Sequence, residues 1–238
     1  MTTFTTDDRI IAEKDGSYTV NVEPIPFAGL VDIQIQQGTK EWLLERLGHV
    51  TASKITDVLA KGKTGGEAKT RESYRWELIT QRLTGQIEEG FKNSAMEWGT
   101  QTEPEARIHY EASNGVFVEQ VGFIRHPTIK WVGASPDGLI DKDGGLEIKC
   151  PNSTTHLQTI QSGVSPAKYY GQMQMGMWVT GRKWWDFVSY DPRVPKNLRY
   201  FCIRVPRDEA YIANMEREVV EFLREVENAV SNLSGEVK

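Results

Sequence analysis

Ser135-Pro136-Asp137-Gly138-Leu139 is followed, ten positions after Asp137, by Glu147-Ile148-Lys149, and the two together place two carboxylates and an ammonium in one short segment. Side chains alternate faces along a strand, so Glu147 and Lys149 point the same way while Ile148 faces the core. A turn at Asp141-Lys142-Asp143-Gly144-Gly145 folds the flanking strands into a hairpin and brings Asp137 beside Glu147. Two acids and a lysine on one face near a strand end suit a divalent cation and an oriented water. That is the minimum for metal-assisted phosphodiester hydrolysis.

Around this hairpin the periodicity alternates between helix and strand. Helices are expected over 39–47, with Thr39 as N-cap and Gly48 as stop, and over 53–60, 68–83, 94–113, 166–180 and 208–231. Pro104 falls inside the fourth of these, in a first turn or at a kink. Strands are expected over 116–125, 129–133, 137–140, 145–150, 183–190 and 199–206. KGKTGGE at 61–67 reads as a basic, glycine-rich loop. Residues 1–37 alternate only weakly and read as an arm, leaving 38–238 as a single domain. The fold class is α/β, a central mixed β-sheet flanked by helices.

The bulk properties fit an ordinary globular chain: 238 residues, 39% hydrophobic and 26% charged. No run of about 18 apolar residues exists to cross a membrane, and the N-terminus lacks the basic start and apolar core of a secretory signal. A cytoplasmic protein is expected, with Cys150 and Cys202 as buried free thiols in strands. The net charge of −5 argues against a nucleic-acid partner at first. Eight acids and three bases lie from Asp208 onward, however, which accounts for the whole excess. That places the acid on a C-terminal helix, read as a solvated outer face and a candidate docking face. It leaves a basic run at Lys61, Lys63, Lys69, Arg71 and Arg75 to create local positive potential.

Six ordered blocks resemble the phage lambda exonuclease family, the YqaJ-type viral recombinases of the PD-(D/E)xK nuclease superfamily. They are Trp42-Leu43-Leu44-Glu45-Arg46-Leu47-Gly48 with Val50-Thr51-Ala52-Ser53; Glu97-Trp98-Gly99-Thr100-Gln101-Thr102-Glu103; the two hairpin segments; Gln172-Met173-Gln174 with Met177-Trp178-Val179-Thr180; and Tyr190-Asp191-Pro192-Arg193. The resemblance spans about residues 40–225 and implies a restriction-endonuclease-like core. It implies a Mg2+-dependent 5′→3′ exonuclease, with Mn2+ able to substitute. Such an enzyme digests one strand of linear double-stranded DNA to mononucleotides and leaves a 3′ overhang for strand annealing. It further implies a homotrimeric ring, a single-strand annealing protein as partner, and a phage or prophage origin in a bacterial host.

The same resemblance assigns roles. Asp137 and Glu147 are the metal ligands, with the backbone carbonyl of Ile148 completing one site. Lys149 positions or helps deprotonate the attacking water. Glu103 is the additional carboxylate, serving a second cation or the water. Arg46, Ser53 and Ser135 form the 5′-phosphate pocket, chemistry that a planar guanidinium and two hydroxyls supply well. Met96 aligns with a strand-separating wedge, or else packs in the core; Lys61, Lys63, Gln172 and Gln174 are candidate DNA contacts. One of the two glutamines is expected near the metal site and the other elsewhere.

Two other functions stay open at this point. An endonuclease or 3′-end nuclease on the same core is separated by a covalently closed duplex circle, which an end-dependent enzyme leaves intact. A DNA-end-binding module without catalysis is disfavoured because Asp137, Glu147 and Lys149 are all present. No GxGxxG or GxxxxGK[ST] occurs, so no nucleotide cofactor is expected. Asn152-Ser153-Thr154 matches a glycosylation sequon by letter only.

Overall fold

The computed structural model describes residues 10–12, 18–20, 35–62, 66–87 and 94–235. Two units are distinguished, Met1–Ile33 and Gln34–Lys238. In the first, β1 (Ile10–Ala12) pairs antiparallel with β2 (Tyr18–Val20), Ile10 opposite Val20.

The second unit opens with α1 (Lys40–Arg46), whose Thr39 hydroxyl accepts the Trp42 N–H as an N-cap. Gly48 follows at φ +72°, where a Cβ would lie 2.8 Å from the Arg82 side chain. The region expected as one helix over 53–60 is instead β3 (Val50–Thr51), a 3₁₀ turn at Ala52–Lys54 and the short α2 (Ile55–Val58). Next come α3 (Lys69–Thr84), stopped by a left-handed Gly85, and α4 (Ser94–Asn114), which carries Pro104 inside it. The strand expected over 116–125 shrinks to β4 (Ile124–Arg125) and one bridge between Glu119 and Leu139.

β5 (Val132–Ala134), β6 (Gly138–Ile140) and β7 (Gly144–Lys149) follow. Asp141 turns the β6–β7 hairpin at φ +47°, a conformation that aspartate tolerates. The glycines expected in that turn begin β7 instead. A Cβ on Gly144 would come within 2.1 Å of the Trp184 ring and one on Gly145 within 2.3 Å of Trp185, so only glycine lets those indoles lie on the strand. Asn152 then caps α5 (Ser153–Ser162), a helix in the place of the sequon letters. A 3₁₀ turn at Ala167–Tyr169 leads into α6 (Tyr170–Thr180), β8 (Trp184–Tyr190), β9 (Tyr200–Pro206) and α7 (Glu209–Ser234).

The expected central sheet is split. β3-β5-β4 form one sheet and β6-β7-β8-β9 another, with Ser135–Asp137 at the break. β7 runs parallel to β8, whereas β6–β7 and β8–β9 are antiparallel, so the larger sheet is mixed. One of its faces packs Ile140, Leu146, Ile148, Val188 and Tyr190 under Ala106 and Tyr110 of α4. The other packs Leu139, Trp185, Phe187 and Val205 under Met173 and Met177 of α6. Helix α6 is buried nearly all round, as a helix between two layers must be.

The third cluster joins α3, α6 and α7. Ile212, Met215, Val219, Phe222 and Val226 recur at alternating three- and four-residue steps and seal α7 onto α3, where Tyr74 stacks on Phe222 at 5.7 Å. Phe222 is fully buried, which contributes roughly 1.5–3 kcal/mol. Three acids of α7 reach across to α3 and the segment before it, while Glu209 and Glu221 stay exposed. Arg71 forks onto Glu225 at 2.8 Å through both terminal nitrogens, Arg82 reaches Glu227 at 3.2 Å and Lys61 reaches Glu218 at 2.8 Å. Lys61, Arg71 and Arg75 of the basic run are thus paired with acids of α7.

Candidate active site

Glu147 and Lys149 sit two residues apart at the C-terminal end of β7, on the face covered by α6. Asp137 stands across from them at the mouth of β6, its N–H donating to the Leu146 carbonyl at 3.2 Å. The Ile148 N–H donates to Asp137 Oδ2 at 2.6 Å, so the hairpin itself aims this carboxylate. Glu147 is 2% exposed, and its Oε1 accepts from both the Lys149 ammonium and Gln172 Nε2, the latter at 2.6 Å. Tyr169 places its ring 5.2 Å from the same ammonium.

Burial pushes the Glu147 carboxyl up to about 7, with Asp137 and Glu103 adding to the rise against Lys149. Asp137 is raised by burial as well, opposed by Lys149 and by the Ile148 N–H. Burial alone would discharge Lys149, but Glu147 and Asp137 outweigh it and raise its pKa, so it is a fixed cation at neutral pH.

Glu103 comes from α4, which packs on the opposite face of the sheet, and is near enough to Asp137 and Lys149 for their charges to act on it. Burial and then the Asp137 charge raise it to about 7, against Arg107 and Lys149; Arg107 lies 3.8 Å away. Among the described residues no three His, Cys, Asp or Glu side chains gather closely enough to hold a metal ion. Asp137 and Glu147 remain as a pair of oxygen donors, the number of carboxylates that Mg2+ commonly takes from a protein. Burial drives both toward the protonated form, and a divalent cation reverses that cost, so the donor set fits a hard cation.

Arg46, Ser53 and Ser135 converge beside this cluster. Arg46 stacks over the Trp42 ring at 4.0 Å, one helical turn earlier, and its Nη2 donates to Ser53 Oγ at 3.4 Å. Trp42 Nε1 donates to Ser135 Oγ at 2.9 Å. All four line one cavity of about 140 Å3 together with Gln37, Thr51, Ala52, Asp137 and Gln172. Trp42 and Gln37 are parts of the site that the sequence reading gave no role. The i, i+4 spacing of Trp42 and Arg46 was the available signal for the first.

The remaining candidates separate. Met96 is 56% exposed on the first turn of α4, which sets aside its core reading. Gln172 faces the site and Gln174 does not. Gln174 is fully buried, donating to the Pro206 carbonyl and accepting the Asp208 N–H, both at 2.9 Å, so the expectation of a DNA contact there is corrected. Lys61 pairs with Glu218 at 2.8 Å while its side chain stays 72% exposed; Lys63 lies outside the described residues. Cys150 and Cys202 are free and half-buried, Cys150 one residue past the end of β7.

Comparison with known proteins places this geometry. LHK-Exo, an alkaline exonuclease from Laribacter hongkongensis solved alone and with dAMP, is 49% identical over 83% of this chain and 97% of its own, with a TM-score of 0.78. A phage-related exonuclease from Haemophilus somnus 129PT shares the fold at 15% identity and a TM-score of 0.60, over 78% of this chain and 96% of its own. The fold is restriction-endonuclease-like. Escherichia coli K12 ExoD is 32% identical over 65 residues, 27% of this chain and 74% of ExoD. Mimivirus protein R354 is 27% identical over 78% of this chain, which spans only 38% of that larger protein. The YqaJ-like viral recombinase domain matches residues 41–183, which hold Arg46, Ser53, Glu103, Asp137, Glu147, Lys149 and Gln172, and the chain belongs to that family.

Proposed function

We propose that this protein is an exonuclease that hydrolyses one strand of linear double-stranded DNA from a 5′-phosphorylated end, releasing mononucleotides and leaving a 3′ single-stranded overhang. The observation that carries this reading is the single cavity holding Arg46, Ser53 and Ser135 alongside Asp137. A group able to seat a terminal phosphate there lies next to the carboxylates that would act on the adjoining linkage. Membership of a viral recombinase family and the 49% identity to an alkaline exonuclease support the same chemistry.

Asp137 and Glu147 would hold Mg2+, or Mn2+ in its place, with the Ile148 carbonyl; Glu103 would serve a second ion. When bound, the cation supplies positive charge against that developing on the phosphoryl oxygens. Arg46 offers its planar fork to the 5′-phosphate while Ser53 and Ser135 donate hydroxyls, which fixes the strand end one nucleotide from the reacting bond. Lys149, beside Glu147, would stabilise charge on the scissile phosphate and position the water. Gln172 holds Glu147 in place through Oε1. Met96, exposed at the start of α4, would act as the wedge that parts the terminal base pairs. The working assembly is a homotrimeric ring around the duplex in the cytoplasm of a bacterial host, passing its overhang to a single-strand annealing protein.

Linear duplexes labelled at either end, carrying 5′-phosphate or 5′-hydroxyl termini, test the reading directly. Mononucleotides should appear from the 5′-phosphate end only with Mg2+, and a covalently closed circle should survive. Cutting of the circle, or label released first from the 3′ end, would remove it.

A further inference from the structure

Gln37 stands just ahead of α1, followed by Gly38 at φ +85° and the capping Thr39. Its Nε2 carries two hydrogens and meets two backbone carbonyls, Val121 at 3.0 Å and Pro136 at 2.6 Å. The second acceptor belongs to the Pro136–Asp137 peptide, between Ser135, which lines the phosphate cavity, and the Asp137 carboxylate beside it. Proline fixes its own φ, so ψ is the remaining backbone freedom of Pro136, and a bond to its carbonyl restrains it. Five residues along, Trp42 grips the same loop through Ser135 and carries Arg46 on its ring.

We infer that Gln37 is the positioning residue that registers the 5′-phosphate pocket on α1 against Asp137. The inference rests on the exonuclease reading above. Its chemistry demands two donors at a glutamine's reach. Glutamate has the same shape but turns an acceptor toward two carbonyls, and asparagine is a methylene too short. A shift of the loop moves the pocket and the carboxylate apart, and misplacement by about 1 Å in a reacting geometry costs up to about 10²-fold in rate.

Gln37→Glu and Gln37→Met are compared with the wild type at a temperature where circular dichroism shows each to be folded. KM and kcat are measured with Mg2+ on duplexes bearing 5′-phosphate or 5′-hydroxyl ends. Both variants should lower kcat on the 5′-phosphate duplex by about tenfold or more and bring the phosphate-to-hydroxyl ratio toward one, with KM changing less. Kinetics and ratio within about twofold of wild type would overturn the inference, even if the melting temperature falls, because Gln37 would then only stabilise the chain. A wild type that shows no preference for the 5′-phosphate overturns the exonuclease reading and this inference with it; a wild-type preference retained in the variants overturns the inference alone. If Gln37→Glu does not fold, Gln37→Met decides, since it keeps the length and adds no charge.

Discussion

Lys149 tests the hydrolytic cluster most sharply because its charge is fixed by two acids and it touches only one of them. Lys149→Met should keep DNA-end binding while single-turnover cleavage falls by about 10²-fold or more, the usual loss when a preorganised charge at a reacting centre is removed. Near-normal turnover would reduce the residue to an ion-pair partner of Glu147. Asp191 gives a test away from the proposed cation site. Burial alone would raise its carboxyl, but hydrogen bonds from Arg193 and Ser153 outweigh that and hold it down at about 2. A depressed carboxyl stabilises the fold fully above its ordinary 3.8 and loses that share as pH falls toward 2. Acid titration of Asp191→Asn by circular dichroism should show a variant weaker than wild type above 3.8, with the gap closing as pH approaches 2. A gap that is constant with pH would detach Asp191 from acid stability. Asp137, Glu147 and Lys149 were legible in the sequence because one hairpin holds all three and strand alternation fixes their face. Gln37 and Gln174 were not, since their partners lie 99 and 32 residues away and no local spacing encodes them.

The α3–α7 contact shows how pairing between elements overrides the charge read along the chain. The arginine fork on Glu225 is mostly shielded, with the Arg71 side chain 13% exposed and its guanidinium 5.0 Å over the Phe222 ring. Lys61 meets Glu218 at 72% exposure, in the regime where an ion pair contributes about 0.2–1 kcal/mol. A double-mutant cycle of Arg71→Met and Glu225→Gln, followed by urea unfolding, should therefore give a coupling of about 1–3 kcal/mol. The same cycle on Lys61→Ala and Glu218→Gln should give under about 1 kcal/mol. Equal couplings would mean that burial does not decide between them. Elements with strong periodicity or glycine stops, such as α3 ending at Gly85, were readable in advance. The short pieces were not. β3 has two residues and exists only because Val50 and Thr51 pair with β5, while α5 has a weak apolar pattern and is held by its Asn152 cap and by fully buried His156, which bonds Ser189 and the Leu198 carbonyl at 2.7 Å each.

For the molecule as a whole, the net charge is −5, and Lys61 and Arg71 of the basic run spend part of their charge on acids of α7. A complex held only by phosphate contacts would lose about 10³-fold or more in affinity between about 50 and about 200 mM salt. A closed ring threaded by the duplex retains its substrate by topology, and release then requires the end of the strand or opening of the ring. The proposed trimer therefore predicts two behaviours from one preparation. Sedimentation equilibrium should give three times the 27.0 kDa chain mass. Raising salt or adding unlabelled linear duplex before the enzyme should block initiation, whereas the same additions after loading should leave digestion of the engaged molecules running. A monomeric mass together with digestion that stops on the late salt step would mean that the chain holds DNA through charge alone, and the ring would have to be abandoned while the chemistry at Asp137, Glu147 and Lys149 stood.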